Sequence, residues 1–247
     1  YIGKLIKTIG NSYEIENGHL LNNGDGLCFI NENNEADGIY VNKAENGIIY
    51  PNVLKEIKHL PVVRNYLFAF FFYNMGAQTV LFLGALFGGQ ELHLPSQSLI
   101  ITILIIQLIA IPGSYTCAYL SKRFGNIQAL ISIVCIWIIV CFYAYKVEDE
   151  LNFFILAGGI GFVMGGIQSV SRSTYSKLMP VTYDTASFFS FFDVTEKIAI
   201  VIGMFSFGYI NELTGSQRNS VLALTIFFII GFLLLYRTSK LDKHATV

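Results

Sequence analysis

Residues 48–74 read IIYPNVLKEIKHLPVVRNYLFAFFFYN, and the stretch changes character halfway along. Its left end closes a polar, glycine-punctuated region. Its right end opens an aromatic and aliphatic run suited to lipid. Lys55, Lys58 and Arg64 lie between the two. Residues 51–65 therefore read as a basic, amphipathic lead-in at a membrane surface, with a different solvent on either side.

Downstream, the apolar pattern continues. A bilayer core of about 30 Å needs about 20 predominantly apolar residues per helix. Six runs qualify, at roughly 66–87, 98–119, 127–146, 152–170, 187–209 and 220–237. The breaks between them are polar or glycine-bearing, as in SKRFGN at 121–126 and KVEDELN at 146–152. Hydrophobic residues make up 53% of the 247 and charged residues only 13%, about half the share of a soluble domain. The fold class expected is mainly α: a polytopic membrane protein with six transmembrane helices and a small N-terminal β-rich segment.

Basic residues gather on the cytoplasmic side of membrane proteins. With the six runs alternating in direction, one side receives Lys55, Lys58, Arg64, Lys122, Arg123, Arg172, Lys177, Arg237, Lys240 and Lys243. The other receives only Lys146 and Arg218, beside Glu91, Glu148, Asp149, Glu150 and Glu212. Both termini are therefore expected in the cytoplasm, with the chain in a bacterial cytoplasmic membrane.

Residues 1 to about 50 read as β. YIGKLIKTI, SYEIE, GLCFIN, GIYVNKA and GIIY alternate in part with period two. Turn signals separate them: Gly10-Asn11, Asn17-Gly18, Gly24-Asp25-Gly26, Asn33-Asn34 and Asn46-Gly47. Glycine and asparagine supply the positive φ that tight hairpins need. The segment is acidic and the whole chain carries a net charge of −1, which argues against a nucleic-acid partner. Some fifty residues are also marginal for an independent core.

Nothing points to an enzyme. The chain has no GxSxG, HExxH or P-loop pattern. Cys28, Cys117, Cys135 and Cys141 form no CxxC, and three of them sit in apolar runs as small hydrophobes. The four histidines show no ligand spacing, so neither a metal nor a cofactor is expected.

Polar groups inside the apolar runs are the functional candidates, because an ionisable group in a membrane helix is costly. The fifth run holds Asp193, Glu196 and Lys197. Asp193 and Lys197 stand at the favourable i, i+4 ion-pair spacing; the alternative is that they snorkel to water. In the first run Asn74 and Gln78 share a face, suited to binding a polar solute or to joining helices. Gln107 in the second run reads as interhelical glue. In the fourth run Gly161 and Gly165 form a GxxxG that permits close helix contact. Gln168 and Arg172 follow on one face, with Arg172 at the cytoplasmic mouth either as a topology charge or as a gate.

FFFYNMGAQTVLFLGALFG, AYLSKRFGNIQAL, GGIQSVSRSTYSKLMP and FFSFFDVTEKIAIVIGMFSFGYINELTGSQRNS carry a resemblance over residues 53–237. This part resembles the C-terminal six-helix half of a major facilitator superfamily transporter, of the bacterial family related to vacuolar effluxers. The resemblance implies two inverted three-helix repeats, with the first and fourth runs lining a cavity. Asn74, Gln78 and Gln168 then become substrate-binding candidates, and Asp193, Glu196, Lys197, Arg172 and Arg123 candidates for coupling or gating. The superfamily's loop pattern is degenerate here, with Lys122 before Arg123 in place of an acid and Ala118 in place of the leading glycine. Met75 also stands where the family often has an acid.

YIGKLIKTIGNSYEIE and LNNGDGLCFINENNEADGIYVNK resemble something unrelated, the small C-terminal β-barrel module of collagenase-like peptidases. It would be cut short near IIYPN, without the peptidase's catalytic part. The expected organisation is thus residues 1–52 as a truncated β-barrel-like segment and 53–247 as a transporter half, with a seam near 50–55. The expected function is alternating-access transport of a small polar solute. The partners are the bilayer, the solute, and a missing N-terminal half or a second copy. Two alternatives stand beside it: a membrane-anchored binding module with a cytoplasmic β domain, or a fusion of two gene fragments.

Overall fold

The computed structural model describes residues 4–9, 12–22, 25–30, 36–45, 48–51, 57–58, 60–180 and 185–245. The turn positions Gly10, Asn11, Gly24, Asn33, Asn34, Asn46 and Gly47 lie outside the described residues, as do Lys55 and most of the seam. The chain divides into two compact units, one of residues 1–64 with 177–193, the other of 65–176 with 194–247.

All five strands read from the period-two alternation form. They are β1 (Leu5–Ile9), β2 (Ser12–Ile15), β3 (Gly26–Ile30), β4 (Ala36–Glu45) and β5 (Ile48–Pro51). They pair antiparallel in the order β1-β2-β5-β4-β3. The described strands make an open sheet with β1 and β3 at its edges. Its core is small, with Leu21, Val41 and Ile49 buried.

Six long α-helices follow among the described residues: α1 (Pro61–Gln90), α2 (Ser96–Phe124), α3 (Asn126–Lys146), α4 (Glu150–Leu178), α5 (Thr185–Thr214) and α6 (Gln217–Ala245). Each contains one of the six apolar runs. Five are long and apolar enough to cross a membrane. The other, α5, is equally long at 30 residues but carries Asp193, Glu196 and Lys197 in its first half. Two glycines with positive φ close the tightest connections, Gly125 (φ 92°) between α2 and α3 and Gly215 (φ 65°) between α5 and α6. Only glycine adopts that geometry without steric cost.

Lipid chains are as apolar as leucine, so membrane helices associate through close packing and hydrogen bonds rather than the hydrophobic effect. Both are visible here. In the contact between α3 and α6, Trp137 stacks on Phe228 with centroids 5.3 Å apart. Phe228 also closes on α1, where a Cβ added at Gly76 would lie 2.6 Å from its ring. Gly161 brings α4 against the backbone of α2, since a Cβ there would lie 2.5 Å from the Ile106 carbonyl. The close contact expected of the GxxxG is therefore present.

Polar stitching concentrates at the two ends of the bundle. Where α1 begins, Asn65 donates to the Leu234 carbonyl at 2.9 Å and to Thr238 at 2.7 Å. Nearby, Gln128 donates to Ser239 at 3.1 Å. At the opposite end Arg218 pairs with Glu91 at 2.9 Å, and Ser98 donates to Glu150. A polar layer at each end and an apolar middle is the layering that a bilayer imposes.

Candidate functional site

The middle of the bundle holds few polar groups. The interior stretches of five helices, 65–90, 96–121, 126–145, 151–171 and 219–236, contain no Asp, Glu, Lys, Arg or His. Charge within the long apolar stretches therefore belongs to α5. At 1.5 Å per residue α1 is about 45 Å long, and Asn74 and Gln78 straddle its midpoint. Both are buried. The Gln78 amide donates to Glu196 Oε1 on α5 at 3.1 Å.

This bond lies on a close helix seam. Gly203, two turns beyond Glu196, faces α1 so tightly that a Cβ there would lie 2.7 Å from the Met75 carbonyl. Asn74, one turn before Gln78, has its amide nitrogen buried without a hydrogen-bond partner among the described residues, and so does the Thr79 hydroxyl. A buried donor left unmade costs about 1–3 kcal/mol.

A second polar group joins α1 to α4. Tyr66 OH donates to the Ser171 carbonyl at 2.8 Å, and Tyr73 OH shares a hydrogen bond with Ser171 Oγ at 2.7 Å. The two phenol oxygens are 3.4 Å apart, and Tyr66 stacks on Tyr175. All four side chains are buried. The sequence reading missed this cluster, although the seven-residue spacing of Tyr66 and Tyr73 puts both on one face of α1.

Towards the far end, Leu83 and Phe87 of α1, Phe153 and Leu156 of α4, and Phe207 of α5 line a cavity of about 40 Å³. Its walls are apolar, and apolar cavities stay dry.

Of the expected site residues, the structure brings Gln78 and Glu196 together and sets Asn74 one turn away. Gln168 and Arg172 are exposed on α4, and Gln168 shares no hydrogen bond with Asn74 or Gln78. Arg123 is exposed at the end of α2 and Asp193 is half-buried. Lys197 is exposed on α5. Gln107 is exposed too, which corrects its reading as glue between helices of this chain. Adjacent helical residues point about 100° apart, so Glu196 turns inward while Lys197 turns away.

Residues 48–244 match the model of the vacuole effluxer Atg22-like family. The chain belongs to that family. Among its relatives, an uncharacterised MFS-type transporter of Bacillus subtilis (strain 168) is 34% identical over 182 residues, 74% of this chain and 42% of that protein. Autophagy-related protein 22 of Cryptococcus neoformans is 27% identical over 203 residues, 75% of this chain and 35% of that one. The Saccharomyces cerevisiae protein of the same name is 26% identical over 183 residues, 68% of this chain and 34% of its own length. The chain thus spans less than half the length of these curated relatives. The family match and the apolar helices together make this Atg22-like chain a multi-pass membrane protein.

Proposed function

We propose that this chain is the C-terminal six-helix half of an MFS-type solute carrier, moving a small polar solute by alternating access together with a companion half. The observation that carries the reading is the group of Asn74, Gln78 and Glu196 between α1 and α5, with its unpartnered buried amide. Polar groups this deep are costly and tend to mark solute or ion pathways. Gln168, Arg172 and Arg123 would act nearer the mouth. The names of the relatives support transport as the class of activity. The proposal includes a bacterial cytoplasmic membrane with both termini inside, on the strength of the basic-residue asymmetry.

Alone, the chain is expected not to transport. Proteoliposomes holding it would be compared with proteoliposomes that also hold the N-terminal half of the B. subtilis relative, using a radiolabelled mixture of amino acids and sugars. Uptake only with both halves supports the proposal. Uptake by the chain alone, or none with both halves while the intact relative transports, defeats it.

The first 47 residues lie outside the family match. For residues 1–52 we propose a separate cytoplasmic module like a truncated peptidase β-barrel tail, favoured by the sheet's own buried core of Leu21, Val41 and Ile49. Prompt cleavage of this segment by trypsin in folded vesicles would remove that reading.

A further inference from the structure

Gly84 and Gly88 stand one turn apart on α1, and what faces them differs. A Cβ at Gly88 would lie 2.7 Å from the Phe153 ring and 2.8 Å from Leu99. A Cβ at Gly84 would meet nothing within 4 Å. Val80, Leu83, Gly84 and Phe87 have the i, i+3, i+4, i+7 spacing of one helix face. Together they form the α1 wall of the apolar cavity of about 40 Å³, with Phe153 of α4 and Phe207 of α5 among its other walls. Packed interiors hold few voids larger than a water, so a space kept open at Gly84 calls for an occupant.

The chemistry of this space is one-sided. Two threonines border it, and both turn their hydroxyls elsewhere. Thr102 donates to the Ser98 carbonyl at 2.8 Å, and Thr79 Oγ1 lies on the side where Gly203 of α5 comes closest. A guest is therefore offered contact but no hydrogen bond. Size narrows the choice. The cavity exceeds the about 10–15 Å³ that admits a water and falls well short of the about 150 Å³ that takes benzene. Access is apolar as well. Leu83, Gly84 and Ile106 are half-buried while the other lining residues are buried, so the space opens between α1 and α2. Phe82 and Leu86 of α1 and Ile103 of α2 are exposed on those two helices.

We infer that this cavity is a binding site for a short saturated alkyl group, supplied by the end of a lipid chain or by a free small alkane. Lipid and cavity wall are equally apolar, so entry from the bilayer brings little hydrophobic gain. The gain is contact. An empty space leaves its lining without partner atoms on one side, and a guest restores them. Gly84 keeps the site open, because a side chain there would occupy it. The cavity shares no residue with the group of Asn74, Gln78 and Glu196, so an alkyl guest here is independent of the solute.

Photolabelling of the chain in liposomes tests this, with labelled residues read by mass spectrometry. Two probes are used: a phosphatidylcholine with a diazirine at the end of one acyl chain, and a free dialkyl diazirine the size of butane. Phe87, Phe153 and Phe207 are buried, and at least one probe is expected to label them. Labelling by the lipid probe makes a chain end the guest, and labelling by the free probe alone makes it a small alkane. Exposed Leu233 on α6 is the reference that both probes reach. Relative to Leu233, Gly84→Leu should lower the buried labelling about tenfold or more, as crowding an apolar pocket does. Gly84→Ala adds a methyl group that has room, so the fold is kept, and it should lower the labelling by a smaller factor. Buried residues labelled by neither probe while Leu233 is labelled would overturn the inference. So would buried labelling that both substitutions leave unchanged.

Discussion

Helix α4 meets its neighbours α2 and α1 on different terms. Against α2 it lays backbone on backbone, with Gly161 and Gly165 over the carbonyls of Ile106 and Ala110. Against α1 it uses hydroxyls, with Tyr66 and Tyr73 converging on Ser171. The first contact is steric and depends on the absence of side-chain atoms. The second is polar and exchangeable, since a hydroxyl can find another partner without moving a backbone. A bundle that keeps α2 and α4 as one body while α1 can be released from α4 has one fixed seam and one separable seam.

The sharpest way to break this comparison is to fill the fixed seam. A Cβ at Gly165 collides with the Ala110 carbonyl, which cannot rotate away as a side chain would. Gly165→Leu is expected to cost more than about 3 kcal/mol, beyond ordinary overpacking, and to leave little folded protein in an SDS unfolding series. Gly165→Ala should already destabilise. A Gly165→Leu chain that unfolds like the parent would show that α2 and α4 are not held this way.

The sequence carried much of this layout. The six apolar runs locate the six helices because length and composition are what a bilayer selects. The five strands are legible from alternation and turn residues. GxxxG at Gly161 and Gly165 foretells its contact because the motif describes the surface of a single helix. The site was legible only in part. Asn74, Gln78 and Glu196 stand out as polar residues in apolar runs, but the hydrogen bond joining Gln78 to Glu196 depends on the rotation and proximity of helices 118 residues apart. Gln107 misled because an amide in a span needs some partner, and spacing does not tell whether that partner belongs to the same chain.

Intermediate effects test the polar contacts. Gln78→Leu removes the amide that Glu196 accepts from, and is expected to cost about 1–2 kcal/mol as an interhelical hydrogen bond in a membrane. A double-mutant cycle with Glu196→Met, which leaves no acceptor at that position, read by SDS unfolding, should recover most of that as coupling. Additive single effects would separate the two residues. Tyr73→Phe keeps the ring and removes one hydroxyl from Ser171, so it should cost about 0.5–1.5 kcal/mol. If it proved as damaging as Gly165→Leu, the α1–α4 contact would be as fixed as the α2–α4 seam and the contrast between them would fail.

The smallest effect belongs to a pair of glycines on one helix. A Cβ at Gly208 meets nothing within 4 Å, whereas one at Gly203 lies 2.7 Å from the Met75 carbonyl. Gly208→Ala removes backbone freedom from the unfolded chain and fits a helical position, so it should be neutral or stabilise by up to about 1 kcal/mol. Gly203→Ala must push α5 off α1 and lengthen the Gln78–Glu196 hydrogen bond nearby. Its unfolding midpoint should therefore fall while that of Gly208→Ala does not. The two substitutions share chemistry and helix and differ only in what faces them. Equal midpoints would mean that the approach of α5 to α1 is not set at Gly203, and the position of Glu196 would then need another cause.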